Sequence, residues 1–151
     1  MNYKNPFKTI SLIVLLGMLI TACTAEKPID PSELDKIKLE ITERSEHPIG
    51  ILYTIKLSNH SKHTIKQNNV YLSYPIKMVN GYRGNEFKVE AKENKLDIKP
   101  NEEIILTAFT PKEEYENNDN LLITECYLEI QGYIEEVEAA NHFGKTIGNA
   151  F

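Results

Sequence analysis

Apolar residues occupy every second position in many segments of this chain. Between residues 49 and 58, Ile51, Tyr53, Ile55 and Leu57 alternate with more polar neighbours. Such alternation places one side of a strand in the core and the other in water, which is typical of antiparallel sheet. The alternating segments are 36–44, 49–58, 70–74, 87–91, 96–98, 104–109 and 126–131. The sequence therefore predicts an all-β, antiparallel fold of about seven strands.

Turn-forming residues separate these segments. His47-Pro48 follows the first strand, and Asn80-Gly81 is a favoured tight-turn dipeptide. Their spacing along the chain is typical of a β-sandwich. For Tyr133–Phe143 two alternatives stay open: a continuation of the last strand, or a short helix that ends at Gly144, and the periodicity of the remaining Gly144–Phe151 is weak.

Two stretches resemble bacterial extracellular immunoglobulin-like modules. One is Ile55–Ser61, a strand that ends in a polar turn, and the other is Leu96–Glu103. Such modules often have Pro-Gly-Glu where this chain has Pro100-Asn101-Glu102, and Asn tolerates the left-handed turn that Gly favours. The resemblance implies an immunoglobulin-like antiparallel β-sandwich over residues 34–151, and it implies no particular function.

The N-terminal residues have the order of features of a secretory signal peptide. Lys4 and Lys8 precede an uncharged, mostly apolar run, Thr9–Ile20, and small residues follow it. A membrane-spanning helix needs about 20 apolar residues, so this run is short for a permanent span. The sequence predicts that residues 1–22 are removed after export.

The end of this signal, Ile20-Thr21-Ala22-Cys23, resembles the lipobox of bacterial lipoproteins. The resemblance implies cleavage between Ala22 and Cys23, a diacylglyceryl group on the Cys23 thiol, and a protein held on the outer face of the cell membrane. Two acyl chains anchor a protein firmly, whereas one binds reversibly. Residues 23–33 then form a tether before the domain. The alternative is an ordinary signal peptide with a chance Cys at this position.

The mature chain is acidic and has a single cysteine besides the anchor. Removing residues 1–22 takes away Lys4 and Lys8, so the 17 basic residues become 15 against 22 acidic ones, a formal charge of −7. This balance argues against nucleic acid as a partner. Cys126 lies in an apolar run and is expected to be a small buried hydrophobic residue. Because no intrachain disulfide is then possible, a Gram-positive origin is favoured.

Most recognisable catalytic motifs are missing from the sequence, so we expect no enzyme, no catalytic residue and no cofactor. His60 and His63 could chelate a metal, but Lys62 lies between them, and solvated loop histidines are the expected alternative. The acidic loop Pro111–Asn120 does not have the spacing of a calcium loop. We therefore predict no metal site.

The loop Tyr74–Arg83 is more apolar than an ordinary turn. Tyrosine, methionine and arginine are enriched at protein interfaces. One hypothesis is that this segment contacts a partner protein; in the alternative, it is a β-hairpin whose apolar residues pack on the sandwich. The candidate contact residues are Ile76, Met78, Val79, Tyr82 and Arg83.

Two classes of function are compatible with these features. The first is a membrane-anchored, non-catalytic binding or accessory module for an envelope protein or component. The second is a stand-alone solute-binding or chaperone-like lipoprotein with a ligand site between the sheets or at an edge strand. The first is preferred, because the sequence shows no convergent set of polar groups typical of a ligand pocket.

Overall fold

The structure, a computed structural model, describes residues 29–148 and is all-β. Ala22 and Cys23, the predicted cleavage and lipidation positions, lie outside the described residues. No helix in the described part of the chain is long and apolar enough to cross a membrane. The long strands are β1 (Ile37–His47), β2 (Gly50–Asn59), β3 (Ile65–Ser73), β8 (Glu102–Pro111), β9 (Tyr127–Ile134) and β10 (His142–Ile147). The short ones are β4 (Ile76–Met78), β5 (Gly81–Arg83), β6 (Val89–Glu90) and β7 (Asp97–Ile98).

The strands form two antiparallel sheets and a separate hairpin. The first sheet has the strand order β1-β2-β8. The second has the order β10-β9-β3-β6, and β7 also pairs with β3. Strands β4 and β5 pair only with each other as a two-stranded sheet. The predicted all-β, antiparallel sandwich is confirmed, and each of the seven predicted segments overlaps a strand.

One hydrophobic core joins the inward faces of the two sheets. Its members alternate along each strand with exposed or half-buried residues, as the period of two predicts. Fully or nearly fully buried side chains from the first sheet include Tyr53, Ile55, Leu57 and Leu106, and those from the second include Val70, Leu72, Leu128 and Ile130. Cys126 is buried among them, as expected.

The C-terminal segment follows neither of the two predicted alternatives. β9 ends at Ile134, a 3₁₀ turn spans Ala139–Asn141, and β10 returns beside β9. The sequence did not predict β10 as a strand, because Lys145 interrupts its apolar alternation at an inward position opposite Ile130. Its ammonium group donates to the carbonyl oxygens of Leu34 at 3.0 Å and of Ile37 at 3.1 Å, so the charge is solvated by backbone.

The folded part begins before the predicted boundary at residue 34. A one-turn helix, Pro31–Leu34, is capped by the Asp30 carboxylate, which accepts from the Ser32 amide at 3.0 Å. Glu33 is buried, and its carboxylate accepts from the Lys62 amide at 3.0 Å. Glu33, assigned to the tether from sequence, therefore packs on the domain.

The sandwich has two distinguishable ends. At the N-terminal end, the helix Pro31–Leu34 lies beside the turn at residues 60–62, and Asn59 contacts Ile98. At the far end lie the turn between β1 and β2, the end of β3 and residues 111–121. Strand β2 runs from one end to the other, and ten extended residues cover about 33 Å. The hairpin β4–β5 follows Ser73 directly and belongs to the far end.

Candidate functional site

The loop Tyr74–Arg83 forms a tight hairpin at the far end of the sandwich. Ile76 pairs with Arg83 and Met78 pairs with Gly81, so Val79 and Asn80 form the turn. Gly81 has a φ of +106°, a backbone conformation that other residues rarely adopt. A tight turn therefore forms as predicted, but one residue earlier than Asn80-Gly81, because Gly81 is the first residue of β5.

The base of the hairpin is held by neighbouring backbone. The amide of Lys77 donates to the carbonyl oxygen of Asn120 at 2.8 Å, and its ammonium group donates to the carbonyl oxygen of Asp119 at 3.1 Å. Ile76 bridges to Leu121 and packs against the core. The hairpin is thus attached to residues 119–121 rather than to either large sheet.

The tip of the hairpin is exposed. Val79 is 99% exposed, Tyr82 56% and Met78 53%, and Arg83 is exposed as well. Residues paired across strands share a side, so Met78 lies on the side of Ile76 and Arg83, while Tyr82 lies on the side of Lys77. Of the five candidate contact residues, only Ile76 packs on the sandwich, and the other four project into solvent.

A cleft of about 540 Å³ separates the hairpin from the acidic loop. Its walls include Lys77 from the hairpin and Tyr115, Glu116 and Asp119 from the loop. Lys112 and Glu116 form an ion pair at 2.7 Å, which closes the 3₁₀ turn Lys112–Glu114. The acidic loop is therefore an ordered wall beside the hairpin, and its carboxylates face solvent.

Below this cleft, three aromatic rings connect the far end to the core. The ring centroids of Tyr53 and Tyr74 are 6.4 Å apart, and those of Tyr74 and Tyr115 are 6.1 Å apart with an edge-to-face arrangement. The hydroxyl groups of Tyr53 and Tyr74 share a hydrogen bond of 2.8 Å. Burial raises the pKa of both phenols, and for Tyr53 the bond with Tyr74 raises it further. Both tyrosines stay neutral, and their tilted ring contact packs the residue that follows β3 against the first sheet.

The tyrosine contacts were missed from sequence. Tyr53 stands in the alternating pattern as a core residue, but the pattern says nothing about where its hydroxyl group finds a partner. Cys126 lies in the same region, and burial raises the pKa of its thiol to about 12. A thiol in this state is protonated at neutral pH and is a poor nucleophile.

The histidines and acidic residues considered as metal ligands do not converge. His60 is exposed, whereas His63 lies with its Nδ1 atom 3.0 Å from the Glu135 carboxylate. Among residues 29–148, no three side chains of His, Cys, Asp or Glu come together as a metal site. The far end therefore presents an exposed apolar hairpin tip with the guanidinium group of Arg83, and the acidic loop Pro111–Asn120 lies beside it.

Comparison with known proteins adds little. No protein-family model matches the chain, and no curated protein matches it either. Among solved structures, the X-ray structure of Northeast Structural Genomics Consortium target SoR45 is similar at 22% identity. That match covers 74% of this chain and 78% of the other, with a TM-score of 0.33.

Proposed function

We propose that this chain is a lipid-anchored, extracytoplasmic lipoprotein that acts as a non-catalytic binding or accessory module, with the β4–β5 hairpin as its contact with an envelope protein. The observation that carries the proposal is the exposed apolar tip formed by Met78, Val79 and Tyr82. Exposed apolar side chains on an otherwise charged surface mark interaction sites. Tyrosine, methionine and arginine are the residue types that protein interfaces favour.

The position of the hairpin favours a protein as its partner and argues against contact with the lipid surface. The described chain enters the sandwich at the end that holds the helix Pro31–Leu34. The hairpin lies at the opposite end, a strand length of roughly 30 Å away. With the lipid on Cys23, the domain would stand on its N-terminal end and present the hairpin away from its own membrane.

The local charge also favours a protein. Lys77 and Arg83 flank the apolar tip, while Glu113, Glu114 and Glu116 lie on the neighbouring loop. Such a mixed rim gives orientation and specificity to a protein–protein contact. Anionic lipid headgroups are not attracted to this end, because the acidic loop repels them. The mature chain repels them as well, since its 15 basic and 22 acidic residues give a net charge of −7.

The first test is photo-crosslinking in cells from the tip of the hairpin. A benzoylphenylalanine at Val79 should give a membrane-associated adduct of defined mass, because that side chain is 99% exposed at the tip. Combining it with Met78→Ser and Tyr82→Ser should abolish the adduct. The Tm of the protein should stay unchanged, because these exposed side chains contribute little to the core.

Two exposed apolar residues elsewhere provide the matched control. Leu96 is 71% exposed near β7, and Ile105 is 52% exposed on β8. Replacing both with Ser should leave the adduct at Val79 intact. A large drop in Tm with Met78→Ser and Tyr82→Ser would show that the tip packs on the domain, and an adduct that survives these changes would exclude the hairpin as the contact.

A further inference from the structure

The outward face of the second sheet differs from that of the first. On the first sheet, the outward residues include Lys38, Glu40, Lys56 and Glu103, a charged and ordinary solvated surface. On the second sheet, the outward positions of the three adjoining strands β3, β9 and β10 are mostly uncharged, with tyrosines, amides and hydroxyl groups. They include Asn69, Tyr71, Ser73, Tyr127, Gln131, Tyr133, His142 and Thr146, and the charged residues Lys66 and Glu129 lie among them.

Residues 84–88 rise over one end of this face and enclose a cleft of about 570 Å³. The sheet contributes Ser73, Tyr127, Glu129 and Thr146, and the loop contributes Asn85 and Lys88. Small-molecule sites in proteins span about 300–1,000 Å³, so the cleft has the size of a ligand site. It is lined by one aromatic ring and otherwise by polar groups.

Two of the three charged residues in the wall of this cleft form an ion pair. The ammonium group of Lys88 forms an ion pair with the Glu129 carboxylate, and the side-chain amide of Gln131 donates to the same carboxylate. The Lys88 bond lowers the pKa of Glu129, which stays ionised at neutral pH. This pair fixes the loop above the sheet, and Glu86 is the remaining charged residue of the wall.

Several groups in the cleft remain free to bind. The hydroxyl groups of Ser73, Tyr127 and Thr146 have no side-chain hydrogen-bond partner within residues 29–148. Each can both donate and accept a hydrogen bond. Gly144, opposite Gln131, has no heavy atom within 4 Å of where a Cβ would lie, so the sheet surface stays open beside the cleft.

We propose that this cleft binds a segment of an uncharged oligosaccharide. A sugar ring offers an apolar C–H face, which packs on an aromatic ring such as that of Tyr127, and hydroxyl groups, which pair with side-chain hydroxyl and amide groups. A phosphate or carboxylate ligand is disfavoured, because Lys88 is already paired and Glu86 would repel it. The proposal goes beyond the hairpin contact and uses the cleft next to the hairpin, whose residues 84–86 follow β5 directly.

The test is a titration of the full-length lipoprotein in detergent micelles, followed by ¹H–¹⁵N NMR. The probes are chitotetraose and maltotetraose, which are uncharged, and tetragalacturonate, which is anionic. Amide signals of residues 73, 127–129 and 146 should shift and saturate with at least one uncharged probe. Tyr127→Ala should weaken that affinity roughly tenfold through loss of the ring, whereas Tyr127→Phe should keep most of it.

Further variants keep the outcome decisive. Thr146→Arg fills an exposed position of the cleft and should abolish binding without unfolding the domain. Ile105→Ala, on the outward face of the other sheet, should change nothing. Absence of saturable shifts with both uncharged probes, tighter binding of tetragalacturonate, or an equal loss with Ile105→Ala would overturn the proposal. Crosslinking from Val79 is unaffected by any of these results.

Discussion

Asn59 connects the two sheets at the N-terminal end through its side-chain hydrogen bonds. It is fully buried at the end of β2. Its side-chain amide donates to the carbonyl oxygens of His63 at 2.8 Å, Ile98 at 3.0 Å and Lys99 at 3.2 Å. Its side-chain oxygen accepts from the amide and hydroxyl groups of Ser61, at 3.1 Å and 2.7 Å. One side chain thereby satisfies the backbone of two separate turns.

Replacing Asn59 with Ala should destabilise the domain strongly. The change removes five hydrogen bonds, among them the buried one to the Ile98 carbonyl oxygen, and a buried polar group that loses its partner costs about 1–3 kcal/mol, so we expect a loss of at least ~2 kcal/mol. Urea unfolding monitored by circular dichroism measures it. Asn69→Ala serves as a control, because that amide is exposed and donates only to the Tyr71 hydroxyl group at 3.3 Å. Equal stability of the two variants would show that the Asn59 network is dispensable.

At single positions, the sequence was informative where backbone geometry restricts the residue type. Asn101, predicted to occupy a left-handed turn, has a φ of +60°. Gln67, Glu93 and Glu135 also have positive φ values, and nothing in their type indicates this. Long-range contacts such as the Asn59 network were out of reach, because an asparagine in a turn is equally compatible with solvent.

Among the elements, the helix Pro31–Leu34 is held by the Asp30 cap and by the buried carboxylate of Glu33. Glu33 accepts from the Lys36 ammonium group at 2.8 Å and from the Lys62 amide at 3.0 Å. The hydrogen bond with Lys36, and next the backbone bond with Lys62, lower the pKa of Glu33 to about 2. The element that connects the domain to the N-terminal segment is therefore held by a group that titrates in acid.

This contact predicts a pH-dependent stability. The Glu33 pKa is lower in the folded state than in the unfolded state, so its contribution is complete above the unfolded value of about 4.3 and is lost as the pH falls towards 2. The Tm of the protein should exceed that of Glu33→Gln at pH 7, and the difference should shrink between about pH 5 and pH 2. Differential scanning calorimetry at several pH values measures it.

The control for this prediction is Glu40→Gln. Glu40 is exposed on β1, and its carboxylate lies 3.3 Å from the Lys56 ammonium group. An exposed pair of this kind contributes little, so its Tm difference should be small at every pH. A Tm difference for Glu33→Gln that stays constant from pH 7 to pH 2 would contradict the role given to the ionised carboxylate.

The predicted strands were those in which hydrophobicity alternates without interruption. The hairpin β4–β5 was a recognised alternative because Asn80-Gly81 predicts a tight turn there, but its exposure depends on attachment to residues 119–121, which lie far along the chain. Strand β10 was not predicted, because the charged Lys145 takes an inward position where the pattern requires an apolar residue. The cleft on the second sheet was invisible from sequence, since its walls come from three strands and a loop that only the register brings together.

At the scale of the whole molecule, the sandwich separates attachment from contact. The N-terminal segment joins at one end, the exposed hairpin lies at the other, and the cleft on the mostly uncharged face of the second sheet lies next to the hairpin. A domain with this arrangement can be held at a surface by its N-terminal end while the hairpin and the cleft remain open. The arrangement is useful only if the chain is anchored at Cys23, which makes the anchor the first property to test.

Removing the lipid attachment should release the protein from the membrane. Cys23→Ala takes away the thiol that would carry the diacylglyceryl group, and each buried CH₂ contributes about 0.8 kcal/mol to membrane binding. We expect the wild-type chain to fractionate with membranes and to enter the detergent phase in Triton X-114 partitioning.

The Cys23→Ala chain should lose the acyl label from radioactive palmitate. Cys126→Ala should keep that label, because Cys126 is buried in the folded domain. Palmitate incorporation that survives Cys23→Ala would refute the lipobox assignment, and the orientation argument for the hairpin would fail with it.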